Sequence, residues 1–169
     1  MNSESFQLLL SYFDSVIGPE ILFSFPEDIS ANISTKIKSV FDLDIEDQFF
    51  ELSITKENLK ITNIFLEIPS QWGRGNVETA MLTLVTGIDY DSRSFQEILM
   101  NYSSKIKATQ DIYKAFYEHT STYKGDNEIN TKREELQNIL IDCCNNLKNR
   151  TTSGDEEGKI VQKFKKLNW

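Results

Sequence analysis

The chain is short of histidine, cysteine and proline, and it contains no long apolar run. One histidine, His119, and two cysteines, Cys143 and Cys144, provide no set with zinc spacing and no nucleophile beside a base. The cysteines are neighbours on a predicted helix, where disulfide geometry is hard to reach, so they are read as reduced thiols with Cys143 buried and Cys144 nearer the edge. No stretch approaches the roughly 20 apolar residues that cross a bilayer, and the N-terminus lacks the basic region and cleavage site of a secretory leader. The expectation is an intracellular, cytoplasmic protein. No glycine-rich loop ends in Lys-Ser or Lys-Thr, which excludes a P-loop, and Gly73-Arg74-Gly75-Asn76 is too short to cradle phosphates. Basic residues are the minority: 18 Lys and Arg against 26 Asp and Glu give a net charge of −8, which argues against a nucleic-acid partner. The acidic cluster Asp42, Asp44, Glu46 and Asp47 lacks the central glycine and terminal glutamate of a calcium loop. Neither a catalytic residue nor a metal or cofactor is expected.

What is present is enough apolar material for one core. With 169 residues, 39% hydrophobic and 11% aromatic, the chain fits a single globular domain with short appendages and has no room for a second. Its opening is the most informative stretch. Two apolar segments, 8–13 and 20–25, flank Gly18-Pro19, and Pro26 closes the second, which reads as an N-terminal β-hairpin. Gly18 can take the positive φ of a tight reversal, and Pro19 presets φ for the strand that follows.

Beyond the hairpin, Ile29, Ile33, Ile37, Val40 and Phe41 recur at helical spacing, so 28–41 is an amphipathic helix capped by Asp28 or Ser30. Segments 49–55, 59–68 and 78–88 are rich in β-branched or aromatic residues and bounded by turn residues, and read as three strands. The loop 69–76, with Trp72 and two glycines, separates the last two. Ser94 signals the start of a long helix carrying Phe95, Ile98, Leu99, Tyr102, Ile106, Tyr113, Phe116 and Tyr117 on one face and ending before Gly125. His119 at its end reads as a solvated C-terminal cap. Leu136, Ile139, Leu140, Cys143 and Leu147 stripe a further helix over 127–148. The order is ββαβββαα, an α/β arrangement of the α+β kind.

That order, with Phe13-Asp14 ahead of the Gly18-Pro19 turn, resembles the longin domain as found in nitrogen-permease-regulator-like and DENN-type proteins. Trp72-Gly73-Arg74-Gly75 is also similar to the Arg-Gly loop before the fifth strand of some archaeal longin-like proteins. The resemblance covers roughly residues 5–148. It implies a longin/profilin-like fold with a five-stranded, mostly antiparallel sheet between the first helix and the two later ones. Roadblock modules use related layers but usually begin with a helix, whereas this chain begins with a hairpin. The resemblance further implies a non-catalytic interaction module of membrane-trafficking or small-GTPase regulatory machinery. Its partner would be a small GTPase, another longin- or roadblock-type subunit, or a second copy. The alternatives are a stand-alone small-molecule sensor or enzyme with a pocket between helix and sheet, and a peripheral membrane factor held by its basic tail.

The candidate contact residues follow from exposure rather than from chemistry. Val16 and Ile17, at the hairpin tip, are either contact residues or packing residues of the domain. Trp72, flanked by small residues in a loop, is either an interface anchor or folded back on the sheet edge. Arg74 and Arg93 sit in predicted loops, where an arginine finger toward a partner's phosphates would be placed. Residues 149–158 read as a flexible polar linker. The tail 159–169 is a basic amphipathic segment, with Lys159, Lys163, Lys165 and Lys166 set against Ile160, Val161, Phe164 and Leu167, and with Trp169 at the end. It carries no acidic residue on an acidic chain, and three uses fit it: docking on its own domain, peripheral contact with an anionic membrane surface, or partner binding.

Overall fold

The computed structural model describes residues 6–43, 48–123 and 125–167, with side chains through Thr151. The order of its elements is β1 (Gln7–Asp14), β2 (Gly18–Phe25), α1 (Ala31–Val40), β3 (Phe49–Ile54), β4 (Leu59–Pro69), β5 (Val77–Gly87), α2 (Arg93–Ala108) and α3 (Glu128–Leu167). The strands form one sheet in the order β2-β1-β5-β4-β3, with every neighbouring pair antiparallel. This is a mixed α+β fold of five strands and three α-helices, as the sequence periodicities predict.

Period-two alternation along the strands decides which residues meet which helix. Leu9, Ile61, Met81 and Val85 point to one face, where Ile33, Ile37 and Val40 of α1 cover them. Leu8, Leu10, Ile64, Leu66, Leu82 and Leu84 point to the other, under Phe95, Leu99, Tyr102 and Ile106 of α2 and Leu136, Leu140, Cys143 and Leu147 of α3. The uninterrupted run Leu8-Leu9-Leu10 is fully buried because its strand is covered on both sides. One polar pair sits in this interior: Thr83 Oγ1 donates to Asn63 Oδ1 at 2.9 Å across β4 and β5, so neither side chain is left without a partner.

Local chemistry sets the boundaries. Ser30 Oγ accepts from the N–H of Ile33 at 3.2 Å and caps α1. At the start of α2 the structure corrects the reading of Ser94 as the cap. Asp91 Oδ1 accepts from the N–H of Arg93 at 3.1 Å, while Ser94 Oγ donates to the carbonyl of Asp91 at 2.7 Å. The long second helix is also shorter than its apolar stripe suggests. It stops at Ala108 because Thr109 is extended (φ −75°, ψ 121°) and Asp111 is left-handed (φ 55°), and the stripe continues as a 3-10 turn over Ile112–Tyr117. Tyr113 and Phe116 are still buried, so periodicity survived a break it could not reveal. His119 follows that turn rather than capping a helix. Its side chain is exposed, with Nε2 3.7 Å from Glu118 Oε2.

The segment 149–158, expected to be a linker, is helical, and α3 runs unbroken to Leu167. No proline interrupts it, and Asp155-Glu156-Glu157 offers no strong breaker between Gly154 and Gly158. Asp44, Glu46 and Asp47 of the acidic cluster, and Trp169 of the tail, lie outside the described residues.

Candidate interaction surface

The hairpin tip is held out by its own first turn. Asp14 Oδ1 accepts from the backbone N–H groups of Val16 and Ile17 at 2.7 and 3.1 Å, closing an Asx turn that fixes both residues. Gly18, with φ +89°, completes the reversal at an angle that a side chain would resist. The result is two β-branched apolar side chains that are 87% and 68% exposed on a constrained loop. Neither packs back on the domain. Next to them Phe13 is half exposed and meets Phe41, just past α1, with ring centroids 6.4 Å apart.

From Phe41 the aromatic row continues across the sheet. Phe41 packs edge-on against Phe65 at 5.8 Å, and Phe65 against Phe50 at 5.5 Å. A helix of ten residues is about 15 Å long, too short to cover this end of the sheet, so Phe41, Phe50 and Phe65 are only partly buried and Leu43 is exposed. Acidic side chains border the row, with Asp14 at the tip, exposed Asp42, and Glu67 two residues beyond Phe65 on the same face of β4, whereas Glu51 lies on the opposite face, where it accepts from Thr62. Val16 and Ile17 were legible in the sequence. The phenylalanine row was not, because its members come from four separate segments and meet only through sheet register.

Trp72 does not serve as a free anchor. Its indole stacks on Tyr123 at 3.9 Å and 6°, meets Tyr113 and Tyr117 edge-on at 5.4 and 5.2 Å, and has Lys114 Nζ 5.3 Å from its ring. The loop carrying it is fastened by a polar network with no counterpart in the sequence reading. Ser70 Oγ accepts from the N–H groups of Trp72 and Gly73 at 3.1 and 2.8 Å and donates to Glu78 Oε1 at 2.8 Å, and Tyr117 OH donates to the same oxygen. Burial, with the Glu78 carboxylate beside it, pushes the Tyr117 hydroxyl well above the ordinary phenol range. Gly73 is required here for space, since a Cβ would lie 2.3 Å from the carbonyl oxygen of Val77. Residues 69–76 are therefore anchored to the domain by the elements around Tyr117.

Arg74, on a 3-10 turn over Arg74–Asn76, and Arg93, at the first position of α2, are exposed. Lys159, Lys163, Phe164, Lys165 and Lys166 lie on the C-terminal part of α3, where the structure describes backbone alone. Both cysteines are buried, Cys143 completely and Cys144 slightly nearer the surface, in the order expected. Burial raises the Cys143 thiol to about 12 and raises Cys144 as well. Among the described residues no group of His, Cys, Asp and Glu is arranged to hold a metal ion, and no helix is long and apolar enough to cross a membrane.

No family model and no curated protein matches the chain. The surface must be read from its own geometry.

Proposed function

We propose that this protein is a longin-like, non-catalytic interaction module of small-GTPase or membrane-trafficking machinery, and that it engages a protein partner through the hairpin tip and the phenylalanine row. The observation that carries the reading is the tip itself. A domain rarely keeps two large β-branched side chains in water on a constrained turn unless another surface covers them, and burying the pair is worth about 1.5–3 kcal/mol per side chain. Because Asp14 already fixes the turn, little conformational entropy is lost when it docks. The acidic border favours a partner whose apolar cleft is rimmed by lysine or arginine. Element order, the antiparallel sheet and the split of helices between its two faces support the longin comparison, while a fold by itself assigns no function.

The test is capture from lysate of the source cells in parallel with GDP and a non-hydrolysable GTP analogue, read by mass spectrometry. A small GTPase recovered in one nucleotide state supports the reading. Recovery of none in either state removes the GTPase assignment.

A further inference from the structure

Helix α3 continues past the domain it helps to build. Leu147 is its last residue in the core, yet the helix runs without a break to Leu167. At 1.5 Å per residue the remainder carries its axis about 30 Å onward, and Lys159 stands about 18 Å past Leu147. That distance is roughly twice the Debye length at physiological salt, so the acidic body neither holds the lysines at the end of α3 nor neutralises them. A helix with no turn in it cannot fold back, which removes the domain's own surface as the place where this segment docks.

Helical spacing sorts the last turns into two sides. At about 100° per residue, Ile160, Val161, Phe164 and Leu167 fall within one arc about 120° wide. Lys163 and Lys165 stand about 40° outside its two borders, and Lys159, Gln162 and Lys166 occupy the opposite side. No acid interrupts the segment, whereas the chain as a whole is at −8. Asp155, Glu156 and Glu157 come immediately before it, and Glu157 falls at the same angle as the arc, so the apolar face begins only after Gly158. Asp155 is four residues ahead of Lys159, the spacing at which an acid and a base support a helix.

We propose that residues 159–167 of α3 bind the surface of an anionic lipid bilayer, lying in its interface with the apolar arc toward the acyl chains. A basic cation on each border of an apolar arc suits a plane: the arc enters the acyl boundary while both ammonium groups stay among the headgroups. The opposite side offers lysine and one glutamine, a density of positive charge without a pattern. A field of anionic headgroups answers that density, whereas a protein cleft selects by shape and by paired charges. The apolar face is two turns long, about 12 Å, so attachment is reversible and depends on charge as much as on burial. The stretch of helix between Leu147 and Lys159 keeps the acidic body away from a surface that would repel it. This site is separate from the hairpin tip, and the inference stands independently of the GTPase reading.

The test is flotation of the full chain with phosphatidylcholine vesicles, with and without phosphatidylserine, followed by hydrogen–deuterium exchange of the floated chain. Flotation is used because aggregated protein sinks. The chain should float with phosphatidylserine vesicles, stay behind with pure phosphatidylcholine, and be released as salt rises. Lys163→Gln with Lys165→Gln should weaken binding about 25-fold, near fivefold per lysine, while Lys163→Arg with Lys165→Arg should retain it. Phe164→Asp should abolish flotation. These positions lie past the last core residue, so the variants leave the domain folded. Exchange should slow at 159–167 in the bound chain. The proposal is overturned by any of four results: no flotation with phosphatidylserine vesicles, equal flotation with both kinds, flotation unchanged by Phe164→Asp or by the paired glutamines, or slowed exchange at 13–17 in place of 159–167.

Discussion

At the scale of single residues, the polar interior is where substitution tells most. Glu78 is a buried carboxylate satisfied by Ser70 and Tyr117, and through Ser70 it holds the loop that carries Trp72. Tyr117→Phe removes one donor from that carboxylate while keeping the ring contacts with Trp72 and Tyr123, so the expected loss is about 1–3 kcal/mol in urea unfolding. A change below about 0.5 kcal/mol would mean that the network does not hold the loop. Buried acids of high pKa give the molecule an alkaline limit. Burial raises Cys143 to about 12, and burial with nearby carboxylates raises Tyr12 and Tyr102 to about 12. In the unfolded chain these groups ionise near 9 and 10, so above pH 9 the unfolded state holds fewer protons than the native one and stability falls as pH rises toward 12. Denaturation followed from pH 8 to pH 11 should show that decline, and Cys143→Ala should make its onset shallower. The sequence announced the buried cysteine through its helical stripe. It gave no sign of Glu78, because a carboxylate on a strand that bonds a tyrosine 39 residues away leaves no local pattern.

Secondary-structure elements were legible where hydrophobic period and turn chemistry agreed. Gly18-Pro19 and Pro26 bounded the hairpin, Ser30 stood before α1, and the β-branched runs became β3, β4 and β5. Errors came at breaks that composition does not mark. The stripe from Phe95 to Tyr117 keeps one buried side through a left-handed Asp111, since a 3-10 turn packs on the same face as the helix before it. Asp111→Gly should therefore be neutral or slightly stabilising, whereas Asp111→Val should cost about 1–2 kcal/mol, measured as the shift of the urea midpoint at constant slope. Ser30→Ala tests the α1 boundary in the same way. It should cost about 1 kcal/mol through loss of the bond to Ile33, and an unchanged midpoint would show that packing alone sets the helix start. The segment after Lys148 was misread for a related reason: threonine, serine and glycine favour a linker by composition, but none forbids a helix as proline would.

For the whole molecule, two faces of one sheet are filled and two of its borders are not. The short α1 leaves Phe41, Phe50 and Phe65 partly covered beside an exposed tip, and β2 presents an open edge between two helices. Sequence alone could suggest the tip but neither the row nor the open edge, since both arise from strand register and helix placement. A paired substitution separates binding from folding. Val16 and Ile17 are exposed, so Val16→Asp with Ile17→Asp should shift stability by less than about 0.5 kcal/mol. The same substitution should remove partner capture. The measurement that tests this account most directly is hydrogen–deuterium exchange on the full chain, alone and bound to the partner it captures. The account predicts slowed exchange at residues 13–17 and 41–43, lost in the Val16→Asp, Ile17→Asp chain. Slowed exchange confined to α2 and the 3-10 turn after it, with the tip unchanged, would contradict it.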